Sequence, residues 1–565
     1  MRLPIGYSDF KQVIDEKFDF VDKTLLIPEI IDGPQVVLIT RPRRFGKTLN
    51  MLMLRYFFAE TVRGQSTKGL FDNLKVMQSG EAVLKHQGQY PVIFLSFKDI
   101  KASSFEEVYQ KIYDTITEMY GEFAYLQDSP SLSKQQKDFF ISVLEQEASQ
   151  AQLERSLKVL TDYLFQHHGV KPIVLIDEYD TPIQSGFFGG YYNEAIGFFR
   201  GFFGVALKDN LSLSKAVMTG ILRVSRESLF SGLNNISAHS ILHSKFSSFF
   251  GFTQDEIDQL LLRADLQDKA SDIKHWYNGY QIGDSVLYNP WSIVNCIQNE
   301  GALQPFWTNT SDNILLKDLL RKSSADFKAE FETLLGGTPV ERVVDENFVF
   351  PDLEGNRASA LWSLILMTGY LTVHGCEYTH NGPLCKLTIP NQEIRDLYQS
   401  TIEQWLANGY GPEWYNKFIN HLLNGEMEDF TQGLRKIMDH TVSYHDIASE
   451  PEPFYHGMMI GLTASLADHR DYELRSNRES GRGRYDYLII ARDPAKLSIL
   501  LEFKQVKKGA SETLEQSAQE ALTQIDTQGY VGELKQRGLS KILKLGIAFS
   551  GKRFGLVHER DISTT

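Results

Sequence analysis

Val36-Val37-Leu38-Ile39-Thr40-Arg41-Pro42-Arg43-Arg44-Phe45-Gly46-Lys47-Thr48 decides how the amino-terminal part of this chain folds. Val36 to Thr40 is a short apolar, β-branched run, which reads as a strand covered on both faces. Leu49 to Phe58 reads as a helix. A Gly-Lys-Thr turn between such a strand and such a helix is a phosphate-binding loop. Its backbone N–H groups, from Arg43, Arg44, Phe45 and Gly46 to the helix start, face the phosphates where the helix dipole favours negative charge. Lys47 is expected at the β- and γ-phosphates of ATP, and the Thr48 hydroxyl on Mg²⁺. The pattern G-x-x-x-x-G-K-[ST] is met except at its first position. Arg41 stands where glycine belongs, which constrains the turn and predicts an altered approach to the loop.

Working outward, three more runs read as strands: Pro91 to Ser96, Ile173 to Ile176 and, more weakly, Ser214 to Thr219. Helical stretches such as Phe105 to Met119 and Leu153 to Phe165 lie between them. That alternation predicts a mostly parallel sheet with helices on both faces. The run Ile173 to Ile176 ends in Asp177-Glu178. In P-loop ATPases an Asp at this place holds Mg²⁺ through water and the next Glu polarises the attacking water. Asp177 and Glu178 fit those roles in order.

Composition bounds the rest. At 565 residues the chain is long enough for about three or four domains. A hydrophobic share of 42% and a charged share of 23% suit folded protein. The net charge of −14 excludes a surface that is basic all over, though not a single basic groove. Three cysteines, Cys296, Cys376 and Cys385, make an odd, sparse set that predicts free thiols in a reducing compartment. No run of about 18 apolar residues suggests a membrane span, and the amino terminus has no apolar signal core. The expected location is the cytoplasm.

Thr40-Arg-Pro-Arg-Arg-Phe-Gly-Lys-Thr48, Phe20-Val-Asp-Lys-Thr24, Asp177-Glu-Tyr-Asp180 and Thr219-Gly-Ile-Leu-Arg-Val224 together resemble the AAA-ATPase-like family widespread in bacteria. The resemblance covers about the first 280 residues. It implies that Arg41 is the family's own version of the loop, and that Thr219 is a polar sensor of the γ-phosphate. Arg223 is a second sensor candidate, with a surface salt bridge as its plainer reading. The family also carries a PD-(D/E)xK nuclease-like domain at its carboxyl end.

The carboxyl-terminal pattern agrees. Beyond Ser449-Glu-Pro-Glu-Pro453 the expected order is a helix (454–468), three strands (near Tyr472, at 485–490 and at 497–503), a helix (511–526) and a strand (543–549). This αβββαβ order is the one a PD-(D/E)xK fold requires. Strand alternation puts Glu502 and Lys504 on one face and Phe503 on the other. An adjacent strand can bring Asp486 beside them. Asp486 and Glu502 would then hold Mg²⁺ or Mn²⁺, which prefer oxygen ligands, and Lys504 would orient a water for attack on a phosphodiester. Alone, such a triplet also suits two edge strands with solvated charges; the element order selects the metal-site reading. Glu452 or His456 could add a ligand. Gln524 either touches the site or is a surface residue. From Arg470 to Lys508 ten basic residues face six acidic ones, a patch suited to a nucleic acid, taken to be DNA.

The expected architecture is therefore α/β: a P-loop NTPase parallel sheet with a helical lid, a helical middle region, and a separate αβββαβ restriction-endonuclease-like domain. Its boundaries are 1–252 for the ATPase domain, 253–340 for a lid or winged-helix-like subdomain, 341–448 for a mainly helical region and 449–565 for the nuclease-like domain. The expected function is ATP binding and hydrolysis that gates metal-dependent DNA cleavage. The alternative is an ATP-driven switch whose nuclease-like domain binds without cutting. An oligomer is compatible with either. The aromatics Trp276, Tyr277, Tyr280, Tyr288 and Trp291 lack interleaved basic residues and read as core rather than as a base-stacking platform.

Overall fold

Strand β1 (Val36–Thr40) lies inside a five-stranded sheet with β2 (Val92–Ser96), β3 (Ile173–Asp177), β4 (Lys215–Gly220) and β5 (Ile236–His239). The spatial order is β2-β3-β4-β1-β5 and every pairing is parallel. All five residues of β1 and of β3 are buried, as apolar runs covered on both faces must be. This computed structural model describes residues 1–223, 236–308, 325–335, 337–353, 358–406, 412–441, 459, 462–463, 471–480, 483–506, 513–528 and 531–562. The four strands expected from the sequence are present within a residue or so of their expected ends. The fifth, β5, was not anticipated; Ile236-Ser-Ala-His239 is too short and too polar to stand out.

Local chemistry starts and stops the helices around this sheet. Helix α1 (Lys47–Phe58) begins after Gly46. Helix α2 (Phe105–Gly121) is capped by Ser104, whose hydroxyl accepts from the Glu107 N–H. Helix α3 (Gln150–His168) has a Ser149/Gln152 capping box and ends at Gly169, at φ +67°. Helices α4 (Thr181–Gly189) and α5 (Tyr192–Leu207) follow β3. On α5, a Cβ at Gly201 would lie 2.5 Å from Glu154 Oε2, so the bare glycine lets α5 close onto α3.

The chain separates into two compact units, Met1–Thr310 with Glu341–Glu393, and Ser311–Val340 with Ile394–Thr565. In the first unit, helices Gln254–Ala264, Ala270–Tyr277 and Pro290–Gln298 flank a hairpin, Tyr280–Ile282 with Ser285–Leu287. A second hairpin pairs Thr372–Thr379 with Gly382–Thr388. Its register sets Cys376 directly opposite Cys385, Cα atoms 4.1 Å apart, and the two are joined as a disulfide. That corrects the expectation of three free thiols. Cysteine count carries no pairing information, whereas strand register does; Cys296 is free and buried.

The second unit holds strands β6 (Tyr472–Ser480), β7 (Gly483–Ala491), β8 (Ser498–Gln505), β9 (Lys541–Ser550) and β10 (Arg553–Ile562), in that spatial order. Only β8 and β9 are parallel, and helices α6 (Leu514–Gln528) and α7 (Val531–Gln536) cross between them. The expected three strands, helix and strand are all here, with α7 and β10 in addition. The expected helix at 454–468 lies outside the described residues apart from Met459, Leu462 and Thr463.

Side-chain alternation gives this sheet two cores. Tyr487, Ile489, Ile499, Leu501, Phe503 and Leu545 face the helices Pro412–Asn424 and Met427–Thr441. Leu488, Ile490, Leu500 and Ile542 face Leu522 and Ile525 of α6 and Leu534 of α7. Helix α6 comes close because the strand beneath it has no side chain at one point. A Cβ at Gly546 would collide with the Ala518 carbonyl oxygen and lie 2.6 Å from the Leu522 nitrogen. Gly546→Ala is therefore expected to destabilise the second unit by about 1–3 kcal/mol through displacement of α6. Denaturant unfolding compared with the parent checks this, and an unchanged midpoint would remove Gly546 from the account.

Candidate functional site

Two clusters of functional side chains form, one in each unit. In the first, Gly46 has φ +82°, a left-handed conformation that favours glycine and turns the chain into α1. Lys47 is buried, and its Nζ donates to the Arg41 and Pro42 carbonyls, each at 3.1 Å, folding back over the loop. Asp177, at the end of β3, is fully buried. Its Oδ2 accepts from the Thr48 hydroxyl and its Oδ1 from the Thr219 hydroxyl, both at 2.7 Å. Burial raises the Asp177 carboxyl above its usual range, and the two hydroxyls pull against that. Burial likewise lowers the Lys47 ammonium, opposed by Glu178, Asp177 and Asp180. Thr48, Asp177 and Thr219 are thus brought together beside Lys47.

Arg41 explains itself in three dimensions. Its guanidinium is fully buried and donates to the carbonyls of Thr40, His239, Ser240 and Phe246, at 2.7 to 3.1 Å. Burial lowers its pKa to about 9, which leaves it charged at neutral pH. The residue at the place of the first glycine ties β1 to the end of β5 and to the turn beyond.

The rest of the loop is anchored too. Arg43 donates to Gln184 Oε1 at 3.2 Å, Arg44 (φ +68°) stacks 4.3 Å over the Trp291 ring, and buried Phe45 meets Tyr280 edge-on at 5.1 Å. Their side chains engage protein, which leaves the backbone of 43–46 as the part suited to phosphate. Tyr277, Tyr280 and Tyr288 are buried, in keeping with their reading as core.

In the second unit the alternation argument applies in full. Asp486, Glu502 and Lys504 occupy the face beneath α6, while Phe503 enters the opposite core. Ladder pairing of β7 with β8 runs from Ile489↔Ile499 to Tyr487↔Leu501, and beyond it side chains take over. Asp486 Oδ2 accepts from the Phe503 N–H at 2.8 Å, and the Asp486 N–H reaches Glu502 Oε2 at 3.4 Å. The two acids are neighbours. Burial raises the Asp486 carboxyl, partly offset by the Phe503 N–H. Glu502 is 3% exposed, and Gln524 of α6 donates to its Oε1. Of the two readings of Gln524, the structure takes the one in contact with the site.

Lys504 Nζ pairs with Glu520 Oε2 at 2.5 Å. Glu520 was missed because its only signal is a helical spacing of four residues from Gln524. Among the described basic residues of the 470–508 stretch, Arg475 pairs with Glu473 and Glu533, and Lys496 with Asp471, so part of its charge is neutralised within the unit. Glu452, His456 and Arg482, with the side chains of Arg478 and Arg484, lie outside the described residues.

A parallel sheet whose first strand runs into a Gly-Lys-Thr loop and α1, with an acidic strand end beside it, defines a P-loop NTPase-like unit. Residues 4–230 match the family model described as "Predicted AAA-ATPase", and residues 450–559 match the PD-(D/E)XK nuclease superfamily. The chain is 24% identical over 561 residues to an "Uncharacterized protein in vnfD 5'region" of Azotobacter chroococcum mcd 1, covering 97% of this chain and 96% of that one. Among solved structures it is similar to a signal transduction ATPase with numerous domains, bearing a tetratricopeptide repeat sensor, from Pyrococcus horikoshii. That match has 11% identity and a TM-score of 0.25, and covers 80% of this chain and 59% of the other. No helix among the described residues is long and apolar enough to cross a membrane.

Two outcomes follow from this geometry. Arg41→Gly is expected to cost the first unit about 3 kcal/mol, because four carbonyls lose their donor and a cavity opens. Denaturation and ATP calorimetry check it; a variant as stable as the parent would contradict the account of Arg41. The second outcome concerns pH. A carboxyl whose folded pKa lies above its unfolded value loses stability as pH rises from the unfolded value through the folded one. Asp486→Asn should therefore melt higher than the parent at pH 7 in EDTA, and the difference should vanish in acid once Asp486 is protonated. Calorimetric scans across pH test this, and a lower-melting variant at pH 7 would overturn it.

Proposed function

We propose that the first unit binds and hydrolyses ATP with Mg²⁺ in the cytoplasm, and that the second cleaves DNA with a divalent metal, access to it being gated by ATP. The observation that carries the first half is the Thr48–Asp177–Thr219 array. A carboxylate and a lysine buried side by side are costly to desolvate, even with two hydroxyls on the carboxylate. The array fits a cation bound to a nucleotide. Thr48 and Asp177 would hold Mg²⁺, Lys47 and the backbone of 43–46 the phosphates, and Thr219 would sense the γ-phosphate. Glu178 would polarise the attacking water.

The second half rests on Asp486 and Glu502, two largely buried acids side by side with Gln524 and Lys504 at hand. Hard divalent cations bind such oxygen pairs. A metal there would lower the pKa of a bound water. Lys504, released from Glu520, would orient that water; Asp486 and Glu502 would fix the metal, and Gln524 would fix Glu502. The ion-paired state of Lys504, and of Arg475 and Lys496 in the same stretch, is what favours the second reading, a switch that binds nucleic acid or a partner without cutting.

The deciding experiment incubates the purified chain with linear, circular and single-stranded DNA and with RNA, with Mg²⁺ or Mn²⁺, with and without ATP. Cleavage is expected that requires metal and is lost in Asp486→Ala, Glu502→Ala and Lys504→Ala. Binding without cleavage under every condition would select the switch. In parallel, Lys47→Ala should weaken ATP binding, and Glu178→Gln should retain ATP while losing about 10²-fold or more in phosphate release. Parental phosphate release by Glu178→Gln would remove Glu178 from its role.

A further inference from the structure

Asp180 closes the run Asp177-Glu178-Tyr179-Asp180 and takes no part in the chemistry just described. It is 3% exposed. Its Oδ2 accepts the Ile221 N–H at 2.9 Å and the Leu222 N–H at 2.8 Å. Tyr179 grips the same segment, its N–H donating to the Thr219 carbonyl at 3.0 Å and its hydroxyl to the Leu222 carbonyl at 2.6 Å. Four hydrogen bonds therefore dock residues 179–180 along 219–222. Gly220 makes the approach close enough: a Cβ there would lie 2.6 Å from Asp180 Oδ1 and 2.7 Å from the Tyr179 ring.

One residue lies between this clamp and Asp177. Glu178 has φ +52°, in the left-handed region. That conformation costs an ordinary residue about 1–2 kcal/mol and persists only where its neighbours are held. Here both are. Asp177 is fixed by the Thr48 and Thr219 hydroxyls, and Tyr179 and Asp180 by the clamp. With Oδ2 shared by two amides in an enclosed site, Asp180 is built to hold backbone rather than to meet a water.

We propose that Asp180 is a positioning residue which, with Tyr179, uses the 219–222 segment as a rail to hold Glu178 left-handed and aim its carboxylate. The inference rests on the reading of Glu178 as the group that polarises the attacking water. Asp180 acts on the chemistry only through Glu178, and the segment that carries Thr219 is bound into the same unit. Any shift of 219–222 is then felt at Glu178 as well as at Asp177.

A double-mutant cycle tests this on the full chain. Steady-state ATP hydrolysis and ATP calorimetry are compared for the parent, Asp180→Asn, Tyr179→Phe, Glu178→Gln, and Asp180→Asn combined with Glu178→Gln. Asp180→Asn should lower kcat by about 10-fold or more and Tyr179→Phe by about 3-fold or more, with KM for ATP nearly unchanged. In the combined variant, Asp180→Asn should add no further loss, the signature of one residue acting through another. Parental kcat in both single variants would overturn the proposal, as would losses that multiply in the combined one. Should Asp180→Asn fail to fold, Tyr179→Phe, which loses a single hydroxyl, runs through the same cycle. A parent that binds ATP with Mg²⁺ but releases no phosphate would reject the hydrolysis reading, and this inference with it; an active parent with indifferent variants rejects the inference alone.

Discussion

The Asp177 carboxylate, held at its two oxygens by Thr48 and Thr219, is the constraint on which the first unit turns. It joins three strands at their carboxyl ends: β3 through Asp177 itself, β1 through the loop that leads to Thr48, and β4 through Thr219. A carboxylate with no exposure must be compensated, or its burial would oppose folding. Here the compensation comes from the residues that a nucleotide and its metal would use. The bonds that satisfy Asp177 in this structure therefore also hold the site in shape. In the sheet β4 lies between β3 and β1, so Thr219 and the loop after β1 both reach the end of β3.

Arg41 shows how the same unit uses a charge in place of a flexible residue. A glycine at that position would leave the carbonyls at the end of β5 without donors. The guanidinium serves those of His239 and Ser240 together with those of Thr40 and Phe246, and so binds β5 to the sheet. This matters because β5 is a short edge strand with polar residues and little apolar surface of its own to bury. The loop turns left-handed at Arg44 and again at Gly46, where a glycine stands.

The second unit works on a different principle, the two-residue period of a strand. Even-numbered positions of β7 and β8 face α6, and odd-numbered ones face the helices at 412–441. Asp486, Glu502 and Lys504 are even-numbered and so must share the α6 side. Whether that side becomes a site depends on how close α6 lies. Gly546 sets that distance, and Gln524 and Glu520, one helical turn apart, then reach Glu502 and Lys504.

Features that depend on local order and period were legible along the chain. The strand–loop–helix around Lys47, the acidic end of β3 and the shared face of Glu502 and Lys504 all follow from spacing along one or two elements. So do four of the five strands in the first sheet, because buried parallel strands announce themselves as apolar, β-branched runs. The remaining features depend on contacts between residues far apart in the chain. The purpose of Arg41 lies in carbonyls about 200 residues away, and β5 is a strand because Arg41 and β1 make it one. Cys376 meets Cys385 through hairpin register, which no cysteine count contains. Gln524 and Glu520 became neighbours of the acids through a packing distance set by a glycine on another strand. Asp180 belongs to the Asp177-Glu-Tyr-Asp180 motif in the sequence, and only the fold lays Ile221 and Leu222 against it. Hydrogen bonds of that kind join groups that no local pattern can pair, because the chain between them is free to take any path until the core closes.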